Sequence, residues 1–70
     1  MEFKINIVDY DIDLTSYCLM PKVPNIGDGI TYYPKKDGDY RRVVVEKINY
    51  HLSEDGVCEI DLIVARAELQ

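Results

Sequence analysis

The chain has little of what small catalytic or metal-binding proteins use. It carries two cysteines, Cys18 and Cys58, and one histidine, His51. Two cysteines far apart in the chain do not make a disulfide framework. With one histidine beside them they also lack the paired ligand spacing of four-coordinate zinc. Both thiols read as small buried apolar residues of a reducing compartment, with a bridge between them as the alternative. No apolar run approaches the roughly 20 residues that cross a bilayer. The opening Met1-Glu2-Phe3-Lys4-Ile5-Asn6 has no basic segment leading into an apolar block. The expectation is therefore no signal peptide, no membrane and a cytoplasmic location. Glycine-rich phosphate loops and nucleophile elbows are missing as well. A nucleophile and its base would have to come from Cys18, His51 and a carboxylate, in a chain with little room to enclose a substrate. A non-enzyme without metal or cofactor is expected.

Seventy residues bound the protein to one domain, residues 1–70. A domain of this size buries only about 60% of its unfolded surface, so its stability margin is thin. The 47% apolar and 30% charged composition is that of an ordinary globular chain. The net charge of −5 disfavours general nucleic-acid binding, which needs local positive charge. The charge is unevenly placed. Lys35, Lys36, Arg41, Arg42 and Lys47 are five of the eight basic residues, whereas both ends of the chain are acidic.

The hydropathy pattern is that of strands. From Tyr40 onward, Val43, Val44 and Val45, then Ile48, Tyr50 and Leu52, lead into Ser53-Glu54-Asp55-Gly56. Cys58, Ile60, Leu62 and Val64 follow at alternate positions. Alternation of period two gives a strand one buried and one wet face, and Asp55-Gly56 suits a tight reversal, so the pair reads as a β-hairpin. Ile48, Tyr50, Ile60, Leu62 and Val64 are the expected centre of the core. The apolar phase slips between Val45 and Ile48, which places a bulge at Glu46-Lys47.

Near the N-terminus Phe3, Ile5 and Ile7 alternate with polar residues. The apolar set then moves to Val8, Tyr10, Ile12 and Leu14, which calls for a turn or bulge near Val8-Asp9. Asp9, Asp11 and Asp13 resemble the start of a calcium-binding loop. Leu14 and Met20, however, occupy the places of its glycine and glutamate, so the three read as a solvated acidic face. Thr15 to Met20 is compatible with a strand or with one helical turn before Pro21. Pro24, Asn25, Gly27 and Gly29 make an ordered turn, with Gly27 in a conformation closed to other residues and Ile26 and Ile30 plugging the core. Ile30 to Tyr33 forms a further strand, joined through Pro34–Asp39 to Tyr40 in a second hairpin. Two phase slips in a chain of five or so short strands favour a curled barrel over a flat sheet.

The turn Pro24-Asn25-Ile26-Gly27-Asp28-Gly29-Ile30, then Arg42-Val43-Val44-Val45 with Ile48 and Tyr50, then Ile60-Asp61-Leu62-Ile63-Val64, resembles small uncharacterised bacterial proteins with a Pro-x-x-Gly-Asp turn. The resemblance covers roughly residues 21 to 65 and implies an SH3-like barrel, with no catalytic residues to carry over. The expected fold is all-β: a small SH3-like, partly open β-barrel of five or six short strands. The alternative is an α+β roll with one short helix at residues 15 to 20 or 65 to 70.

Tyr33, Lys35, Lys36, Tyr40, Arg41 and Arg42 lie on or beside one hairpin. Arginine stacks on aromatics and pairs with carboxylate or phosphate, and tyrosine gives a rigid contact at small entropy cost. These six are the candidate binding residues. The plainer alternative is a solvated loop whose cations pair with Asp37 and Asp39. The expected role is a binding or adaptor module for an unidentified protein partner. Two alternatives remain: an accessory nucleic-acid-binding protein using the Lys35–Arg42 hairpin, and a structural subunit of a larger assembly. If Val43 and Val45 face inward, Val44 faces out; by the same rule Ile63 and Ala65 oppose Ile60, Leu62 and Val64. That outer face needs cover from residues 15–20, from residues 65–70, or from self-association through Val44 and Ile63.

Overall fold

A computed structural model describes residues 2–35, 38–52 and 54–67. Five strands follow one another: β1 (Phe3–Asp9), β2 (Leu14–Met20), β3 (Gly29–Tyr32), β4 (Arg41–Leu52) and β5 (Cys58–Arg66). They form one sheet in the order β2-β1-β5-β4-β3. β1 and β5 run parallel; the other neighbours are antiparallel. The sheet curls into a half-barrel, and the fold is all-β and partly open. Among the described residues there is no helix, and so none long and apolar enough to cross a membrane. Residues 15–20 belong to β2, which removes that helix from the α+β alternative; residues 68–70 lie outside the described set.

Alternation places the core. Ile5 and Ile7 of β1 sit opposite Ile60 and Leu62 of β5, and Val45 of β4 sits opposite Val64. All six are buried, together with Val43 and Tyr32. The bulge is where the phase slip put it. Val45 pairs with Val64 but Lys47 with Ile63, so Glu46 is the extra residue. This slip returns Ile48 to the inward row, opposite Leu62.

The far end of that row corrects the expected core. Ile48 is only partly buried and Tyr50 is 63% exposed. Short β3 pairs only with Arg41–Val44, so it stops short of the end of β4 that carries Tyr50 and Leu52. Cys58, opposite Leu52, is exposed for the same reason, whereas Cys18 is half-buried; both thiols are free. Ile26 is also exposed and plugs nothing, while Ile30 packs against the core.

β1 continues straight through Val8 and Asp9, and the reversal comes at residues 10–13. Asp13 takes a positive φ of 53°, and its N–H donates to the Tyr10 carbonyl at 3.4 Å. Asp9 thus stays in phase with Ile5 and Ile7 and is fully buried, which overturns its place on a solvated acidic face. Gly27 has φ 96°, as the turn chemistry required. Its N–H donates to the Val45 carbonyl at 2.8 Å, and the Asp28 carbonyl accepts from the Val45 N–H at 3.0 Å. The turn therefore docks directly beside the bulge.

On the outer face, Val44, Ile63 and Ala65 are half-buried. β2 does not cover them; it extends the sheet by pairing with β1 along all seven of its residues.

Candidate functional site

The candidate residues divide by strand phase. Arg41 shares the inward phase of Val43 and Val45, while Arg42 shares the outward phase of Val44. The structure separates them accordingly. Arg42 is exposed, with its guanidinium carbon 5.7 Å from the centroid of the Tyr40 ring. Tyr40 in turn meets Tyr33 edge to face, with ring centroids 6.2 Å apart. Both rings are more than half exposed, so they are surface groups and not core packing. Lys35 is exposed, and its carbonyl accepts the Gly38 N–H at 3.1 Å. Lys36 and Asp37 lie outside the described residues.

Arg41 goes elsewhere. Its Nε donates to Asp9 Oδ2 at 2.8 Å and its Nη2 to Asp9 Oδ1 at 3.3 Å. Tyr32, directly opposite Arg41 in the ladder, donates its hydroxyl to Asp9 Oδ2 at 2.7 Å. The Asp11 N–H adds a fourth bond at 3.2 Å. A buried carboxylate needs this degree of pairing, because desolvation without partners is costly. Burial, followed by the bond to Asp9, pushes the Tyr32 hydroxyl up to about 12. The bond to Asp9 also raises the Arg41 guanidinium. Arg41 is thus first a closing element of the barrel.

Sequence reasoning missed Asp9 and Tyr32 as its partners, although the signal was present. Asp9 and Arg41 are opposite charges at inward positions of two strands, and such charges are stable only when they meet.

Arg66, the last residue of β5, was also missed. It lies opposite Val43, and the adjacent Ala67 N–H donates to the Arg42 carbonyl at 3.0 Å. Tyr40, Arg41, Arg42, Arg66 and Ala67 line a groove of about 250 Å³. Three arginines and a tyrosine thus line one concavity, with Arg41 partly neutralised by Asp9 and Asp11.

No family model, curated protein or solved structure matches this chain.

A second polar row crosses the outer face. The His51 Nε2 and Asp61 Oδ2 are 2.6 Å apart, and the Asn6 amide donates to Asp61 Oδ1 at 2.7 Å. His51 is exposed, as its phase implied. Among the described residues, no group of three or more His, Cys, Asp or Glu could hold a metal ion. The row ties β1, β5 and β4 together.

Proposed function

We propose that the protein is a non-enzymatic binding module that recognises an acidic segment of a protein partner at the Tyr33–Tyr40–Arg42 surface, with Arg66 beside it. The observation that carries this reading is the exposed chain of contacts from Arg42 over the Tyr40 ring to Tyr40 edge to face with Tyr33. Interface hot spots are enriched in tyrosine and arginine, and an arginine held by an aromatic ring loses less freedom on pairing with a carboxylate. The arginine-lined groove supplies positive charge in a chain whose net charge is −5. That overall charge favours a protein segment over nucleic acid.

The test compares capture from the native host by the wild-type chain and by Tyr40→Ala/Arg42→Ala, followed by calorimetry with the purified partner. A partner retained by wild type and lost by the variant supports the reading. Submicromolar binding of short single strands at about 200 mM salt, lost in the same variant, would replace it with the nucleic-acid reading.

A further inference from the structure

The two edge strands of the sheet are unequal. β3 has four residues, begins at Gly29, and is soon followed by Pro34. Short length and a nearby proline are ordinary ways of keeping an edge from pairing with another chain. Pro21 directly follows β2, but the strand itself is longer and uninterrupted. Its seven residues, Leu14-Thr15-Ser16-Tyr17-Cys18-Leu19-Met20, contain no charge, no proline and no glycine, in a chain that is 30% charged. One side of β2 is taken by β1 over its whole length, and among the described residues no other strand pairs with it. Tyr17 is 79% exposed and Leu19 61% exposed, and both border a groove of about 370 Å³ with Lys4, Asn6 and Glu59.

We propose that β2 pairs antiparallel with β2 of a second copy, joining two five-stranded sheets into one. Charge selects this occupant. Two chains of net charge −5 repel each other, and they approach at least cost where neither carries a charge. β2 is an uncharged strip, about 24 Å long at the usual strand rise. Its sequence also suits its own reverse. Antiparallel pairing centred on Tyr17 sets Tyr17 against its own copy, Thr15 against Leu19, Ser16 against Cys18 and Leu14 against Met20. Aromatic and apolar cross-strand pairs of this kind stabilise a ladder. The interface is distinct from the Tyr33–Arg42 surface, which lies on strands at the other end of the sheet order.

The experiment is sedimentation velocity from about 10 μM to about 1 mM chain, with amide exchange of β2 followed at both ends of the range. The wild type is expected to pass from monomer to dimer as alternate β2 amides gain protection. Tyr17→Lys, at an exposed side chain, is expected to weaken association at least tenfold while its circular dichroism stays that of wild type. A wild type that remains monomeric throughout overturns the proposal. So does a dimer that survives Tyr17→Lys but is broken by Ile63→Lys, since that places the contact on the outer face of Val44 and Ile63.

Discussion

Tyr32 and Asp9 meet across the barrel interior, hydroxyl to carboxylate at 2.7 Å, although β3 and β1 are separated in the sheet by β4 and β5. The bond closes the curl where no backbone ladder does. Arg41, on the strand beside Tyr32, donates to the same carboxylate oxygen at 2.8 Å. One buried carboxylate is therefore held by two strands from the opposite wall.

Arg41→Ala should be far more damaging than Arg42→Ala. The first leaves Asp9 buried without its counter-charge, an error that costs about 3–5 kcal/mol. The second removes an exposed group and should change stability by no more than about 1 kcal/mol. Urea denaturation of the two variants measures the difference directly. The triple change Asp9→Leu/Tyr32→Phe/Arg41→Met removes the carboxylate and both of its side-chain partners together and should recover much of the loss. Equal midpoints for the two alanine variants would mean that the clamp does not hold the barrel.

Alkaline stability should depend on Tyr32. Its folded-state hydroxyl is raised to about 12 from the ordinary value of 10.0. Below pH 10 the hydroxyl is protonated in both folded and unfolded chains, and its contribution is fully present. Between 10 and about 12 the unfolded chain gives up the proton first, so stability falls as pH rises. Melting curves across this window should drop more steeply for wild type than for Tyr32→Phe, whose curve keeps only the slope from other groups.

Leu62→Ala should cost about 2–5 kcal/mol, a large part of a small domain's stability. Tyr50→Ala should cost much less, because its ring is mostly in water. Thermal melts of the pair locate the centre of the core. A Tyr50→Ala loss as large as that of Leu62→Ala would require the far end of β4 to be covered.

Gly27→Val should destabilise by more than about 1 kcal/mol through the backbone alone. A Cβ at Gly27 would meet no atom within 4 Å, so the cost is its φ of 96° and not crowding. Asp28→Asn keeps an acceptor for the Asn25 N–H, which now bonds Asp28 Oδ2 at 2.8 Å, and should matter less. Chemical denaturation that ranked the two the other way would show that the turn is held by Asp28.

Tyr40→Ala or Arg42→Ala should weaken partner binding by about 1–2 kcal/mol or more and leave the melting temperature nearly unchanged. Calorimetry beside a thermal melt separates the two effects. Loss of binding together with loss of fold would make these side chains structural.

Period-two patterning determined the hairpin of β4 and β5, the inward row Ile60-Leu62-Val64 and the bulge beside Glu46, and turn chemistry the positive φ of Gly27. These follow from local sterics and from which side chains avoid water, and both are written in neighbouring residues. The same pattern already split Arg41 from Arg42, yet clustering in sequence grouped them, because loop proximity is a weaker rule than strand phase. What the tertiary structure decided is where strands end relative to one another. Tyr50 is exposed because β3 begins only at Gly29, opposite Val44, and Arg66 joins Tyr40 and Arg42 because the β4–β5 register sets it opposite Val43. Asp9 became the hub of the interior because the chain's curl brought β1 to face β3, and a charge in a dry interior is stable only where its partners converge on it.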